Sequence, residues 1–147
     1  MIAGTVPAHA GTVPATIGRT RETTMQRITI TAGTGEDASG QPLDAGEVAQ
    51  AVAGIRGTLA RMFGGYTERE TVGGWINSAG ELVTEPGRQW IALTDKPARE
   101  ADPLAYEVAD YARDALRQAS VMLETETVYG RFIESGATVT AAESFNN

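Results

Sequence analysis

Cysteine is absent from this 147-residue chain, and histidine and lysine occur once each. Without cysteine there is no disulfide, no thiolate nucleophile and no zinc–sulfur site. The one histidine, His9, sits in a Pro/Gly-containing leader ahead of the domain outlined below. A Ser–His–Asp triad, a histidine general base and a multi-histidine metal site are therefore not expected. No apolar run approaches the roughly 18 residues of a membrane span. The first residues lack the basic and apolar segments of a signal peptide, so a cytoplasmic location is expected. Positive charge is also short: 12 basic against 19 acidic residues give a net charge of −7. A chain without a basic stripe is a poor phosphate-neutralising surface, and direct nucleic-acid binding is not expected. Composition alone leaves an all-carboxylate Mg²⁺ or Ca²⁺ site open, but no motif assigns a catalytic residue, a metal ligand or a cofactor.

What is present is a clear alternation of elements. Residues 1–24 repeat AGTVPA without an amphipathic period, and read as a disordered leader or as an upstream start with Met25 as initiator. From Arg27 to Thr31 polar and apolar residues alternate, as in a half-buried strand. The glycine-bearing stretch 32–42 reads as a plain turn, since it carries neither G-x-G-x-x-G nor G-K-[ST]. Asp44 with Glu47 forms a capping pattern, and Val48, Val52, Ile55, Leu59 and Met62 recur at helical spacing. Gly64 and Gly65 stop that helix. A hairpin follows, with arms over about Tyr66–Ile76 and Leu82–Thr94, a turn at Asn77–Gly80, and an interruption at Pro86-Gly87. Asp102-Pro103 predicts the start of a second helix with an apolar stripe from Leu104 to Ala119. Val121–Phe132 reads as a last strand, and residues 135–147 as a flexible tail. The order β-α-β-β-α-β over residues 25–134 is the α+β, ferredoxin-like arrangement: a four-stranded antiparallel sheet in order 4-1-3-2 with two helices on one face.

One face of such a sheet stays open. Alternation from Ile28 and Ile30, and from Ile91 and Leu93, sends Arg27, Thr29, Trp90 and Ala92 to it, joined by Met122, Glu124 and Glu126. Trp90 there is read as covered by another segment, as a homodimer contact, or as a partner or ligand site. Glu68 and Glu70, and Glu124 and Glu126, fall on strands at opposite edges, where charge discourages edge-to-edge pairing. Glu107, Asp110 and Asp114 make an acidic strip on the second helix, relieved by Arg113 and Arg117.

The residues Phe63-Gly64-Gly65-Tyr66-Thr67, Gly73-Gly74-Trp75 and Gly80-Glu81-Leu82-Val83-Thr84-Glu85 carry a resemblance to a loose group of small ferredoxin-like proteins, many encoded by phages and mobile elements. The resemblance spans about 110 residues in layout and some thirty in motif. It implies the fold and brings no shared catalytic residue with it. The expectation from charge and motif together is a non-enzymatic, phage- or mobile-element-encoded protein. It would dock an acidic or aromatic surface, built from Trp90, Arg27, Glu124, Glu126, Glu107, Asp110 and Asp114, on a host protein. Two alternatives stand beside it. One is a dimeric ferredoxin-like enzyme or small-ligand binder, with a pocket between helices and sheet lined by Tyr66, Trp75, Trp90 and Tyr129. The other is a structural component of a virion or other assembly.

Overall fold

A computed structural model describes residues 24–133. The expected leader (Thr24 apart), His9 and the expected tail lie outside them. The elements are β1 (Thr24–Gly33), α1 (Ala45–Phe63), β2 (Thr67–Ile76), β3 (Leu82–Thr94), α2 (Ala98–Ala115) and β4 (Met122–Tyr129). The strands form one sheet in the order β2-β3-β1-β4, which is the expected order read from the other edge. Both helices cover the same face, so the α+β, ferredoxin-like arrangement holds.

Local chemistry sets the boundaries. The Asp44 carboxylate accepts from the backbone N–H groups of Gly46 and Glu47 and so caps α1. Gly64 closes it at φ 89°, a left-handed conformation that costs a side-chain-bearing residue more than glycine. In the hairpin turn the Asn77 side chain accepts from the N–H groups of Ala79 and Glu81.

The last strand and the second helix end earlier than the sequence suggests, at Tyr129 and Ala115, and two further features differ from the sequence reading. The second helix begins at Ala98, not at Asp102, and Pro103 lies inside it. Ala101 and Ala105 are fully buried and hold that first turn on the core, while Pro103 faces outward. Burial offsets the one helical hydrogen bond that proline cannot donate. Likewise β3 runs unbroken through Pro86-Gly87. The Pro86 carbonyl accepts from the N–H of Thr34 at 3.0 Å. A strand residue's carbonyl and N–H point to the same side. The missing donor of Pro86 therefore falls just where the β1 ladder, whose last pair is Gly33 with Gly87, has ended.

The largest correction concerns the faces of β3. Ile30 pairs with Trp90 and Ile28 with Ala92, so Trp90 and Ala92 share the helix-covered face. Trp90 is 1% exposed and is the largest fully buried side chain. Ile91 and Leu93 occupy the open face instead, opposite Thr29 and Arg27, and are half-buried there. The apolar pattern of Trp90–Thr94 fits either alternation. The helix face prevails because Trp90 fills the volume under α1 and finds a polar partner there, while Ala92 lets the helices approach the sheet.

Candidate functional site

Two polar arrangements stand out, one on the helix side of the sheet and one at its end. The first centres on Glu68, which pairs across the β2–β3 ladder with Trp90 and so points toward the helices. Glu68 Oε1 accepts from Arg56 Nε at 2.9 Å and from Trp90 Nε1 at 2.6 Å. Its Oε2 accepts from Arg56 Nη2 at 2.5 Å and from Arg88 Nη1 at 2.6 Å. The Arg56 hydrogen bond is the largest cause holding the carboxyl down at about 2; Trp90, Arg88 and the Arg56 charge add to it, against the opposing pull of burial. Every lone-pair direction is in use, so Glu68 is a fixed anion that ties α1, β2 and β3 together. The sequence reading had placed it among outward-facing edge charges.

The second arrangement is a groove of about 860 Å³ at the end of the sheet. Its walls are three connections: the β1–α1 loop with Glu36, Asp37 and Ser39, the end of the hairpin with Trp75 and Glu85, and the α2–β4 loop with Gln118 and Ser120. The loop is fixed by its own polar groups. Asp37 accepts from Ser39 N, Ser39 Oγ and Gln41 N, and the Ser39 hydroxyl leads in lowering its pKa. Gln118 Nε2 donates to the Glu36 carbonyl at 2.7 Å, and Ala38 N donates to the Arg117 carbonyl at 2.7 Å, joining the first and third walls. Trp75 is 53% exposed. Among the described residues the lining carries carboxylates at Glu36, Asp37 and Glu85 and no Lys or Arg. Among the described residues the Glu36 and Glu85 carboxylates have no hydrogen-bond or ionic partner. An acidic groove with one exposed indole suits a cationic ligand that also carries a flat ring.

The residues expected to form a docking surface are not brought together as one. Trp90 is core. Arg27 Nη2 and Glu126 Oε2 do meet on the open face, at 2.7 Å. Glu124 is exposed beside them. On α2, Arg113 pairs with Asp110 at 2.7 Å and Asp114 at 3.1 Å, which neutralises part of the acidic strip, and Glu107 stays exposed. Arg117 leaves that strip for Glu47 on α1. The pocket expected between helices and sheet is filled by the core, Trp90 included. Among the described residues no group of three acidic or histidine side chains is placed to hold a metal. No described helix is long and apolar enough to cross a membrane.

Sequence reasoning missed the groove. The sequence assigns Trp75 to a motif and to a pocket between helices and sheet, Glu36 and Asp37 to a plain turn, and Glu85 only to a motif. The available signals were an acidic pair, Glu36-Asp37, in a glycine-bearing loop and, far downstream, a Trp directly after Gly73-Gly74. Nothing in local spacing joins those segments.

No protein-family model matches the chain, and neither does any curated protein. Solved structures do share its fold. One is a phage SAM lyase in complex with S-methyl-5'-thioadenosine, with a TM-score of 0.54 and 15% identity over 75% of this chain and 93% of that one. A phage SAM lyase in the apo state superposes equally, at 0.54 and 15% over 74% and 92%. At that identity the likeness establishes the fold alone. It nevertheless overturns the expectation of a non-enzymatic docking protein, because these neighbours are enzymes and Trp90, the centre of the supposed docking surface, is buried. The chain shares its fold with phage SAM lyases.

Proposed function

We propose that this protein is an enzyme that takes S-adenosylmethionine into the groove at the sheet end and cleaves a carbon–sulfur bond of its sulfonium, releasing S-methyl-5'-thioadenosine. The observation that carries the reading is the charge of the lining: carboxylates from Glu36, Asp37 and Glu85 beside an exposed Trp75, with no basic side chain among the described residues. The substrate matches it, with a sulfonium and an ammonium for the carboxylates and an adenine ring for the indole face.

The same lining suggests how the bond breaks. A sulfonium is a good leaving group, since the electron pair of the C–S bond returns to sulfur and leaves a neutral thioether. An unactivated C–H is too weak an acid for a side-chain carboxylate to deprotonate readily, so a base-driven elimination is disfavoured. The substrate's own carboxylate needs no base. With the substrate's ammonium drawn to the groove carboxylates and no counter-cation among the lining side chains, its carboxylate is left free to reach the carbon bonded to the sulfonium. Attack on the γ-carbon forms a C–O bond as the C–S bond breaks and closes a five-membered lactone, and an intramolecular attack of this kind gains from high effective molarity. The protein's task is then to fold the substrate and hold its ring.

The assay is direct. Folded protein incubated with S-adenosylmethionine is expected to accumulate S-methyl-5'-thioadenosine by liquid chromatography, whereas S-adenosylhomocysteine, a neutral thioether, persists. Unchanged substrate after prolonged incubation with protein of native circular dichroism would defeat the proposal.

A further inference from the structure

Glu85 is the one groove carboxylate seated on a surface shaped for it. It lies on β3 two residues beyond the end of the β1 ladder, opposite Gly73, and is half-buried. Its carboxylate rests against the bare α-carbon of Gly33: a β-carbon built there would meet Oε2 at 2.8 Å and Cδ and Oε1 at 2.9 Å. Gly33 is thus a cradle that any side chain would fill. No hydrogen-bond donor or cation among the described residues takes up the half-buried charge. By contrast Asp37 is engaged with Ser39 and Gln41, and Glu36 is exposed on its loop. Leaving a half-buried anion without a partner is unfavourable unless a ligand supplies one.

We infer that Glu85, seated on Gly33, is the residue that reads the positive charge of the ligand and so separates sulfonium substrate from thioether product. The inference rests on the function proposed above and adds to it a specificity determinant. An anion there attracts the sulfonium before cleavage. Once the C–S bond has broken the charge on sulfur is gone, and the attraction with it. The same carboxylate that recruits the substrate therefore favours product departure. Because it stabilises the bound cation more than a transition state in which charge is fading, its effect belongs in KM more than in kcat.

The test measures binding of S-adenosylmethionine and of S-methyl-5'-thioadenosine to the full chain by calorimetry, for the native protein and for two variants. Glu85→Gln removes the charge while keeping the shape. Gly33→Ala keeps the charge and pushes the carboxylate aside; its backbone conformation is open to alanine, since Gly33 is not among the glycines with positive φ. Both variants are expected to lose about tenfold in affinity for the sulfonium, the size of one charge-assisted contact at a partly exposed site. Affinity for the neutral thioether should stay within about twofold. Equal losses for both ligands, or none for either, would overturn the role of Glu85 while leaving the proposed reaction standing. If the folded native protein binds neither compound, the proposed function itself fails.

Discussion

Glu68 shows how one side chain can be read wrongly from its neighbours in sequence and clearly from its neighbours in space. Its alternation with Glu70 suggests a solvated strand edge, yet the carboxylate turns inward and accepts from two guanidiniums and an indole. Because its folded-state pKa of about 2 lies below the ordinary 4.5, the stability it contributes is fully present above pH 4.5. That contribution is lost as the pH falls through 2. With its flanking arginines partly exposed, the contribution is about 1–3 kcal/mol. Glu68→Gln should lower stability at pH 7 by that order and flatten the decline between pH 5 and pH 2, measured by denaturant titration across the range. A variant whose acid profile matches the native protein would show that the carboxylate is not held in this way.

At the scale of elements, α1 and α2 meet where Tyr111 crosses Gly54. A β-carbon at position 54 would collide with the Tyr111 hydroxyl, so the glycine is there for space, at a cost in helix propensity. Gly54→Ala alone should therefore be neutral or destabilising. In a Tyr111→Ala background the same change should stabilise by about 1 kcal/mol, the propensity difference with the collision removed. Thermal melts of the four proteins give the cycle, and identical effects of Gly54→Ala in both backgrounds would refute the contact. The element order was legible in the sequence because helical and strand periods alternate cleanly and Asp44, Gly64 and Asn77–Gly80 punctuate them. The start of α2 was not, because a local proline signal was outweighed by burial of Ala101 and Ala105. The face of β3 was not either, because Trp90–Thr94 offers an apolar set on both alternations, and only the volume and the Glu68 partner under α1 decide between them.

Across the whole molecule, the candidate site was the least legible feature, since Glu36, Trp75, Glu85 and Gln118 come from connections that only the folded sheet gathers at one end. The groove thus sits on loops and a hairpin end, and the packed core lies elsewhere. The Glu68 lock has a different reach. Its partners lie 12, 20 and 22 residues away along the chain, whereas the contact of Gln26 with Thr127 spans 101. Short separations close small loops at little entropic cost, so α1, β2 and β3 can assemble around Glu68 before either outer segment arrives. In stopped-flow measurements, Glu68→Gln should chiefly slow folding, while Gln26→Ala should chiefly hasten unfolding. The reverse pattern would place the first organised contacts at the chain ends. The residue that fixes Trp90 in the finished core is, in this light, also the one around which the chain begins to fold.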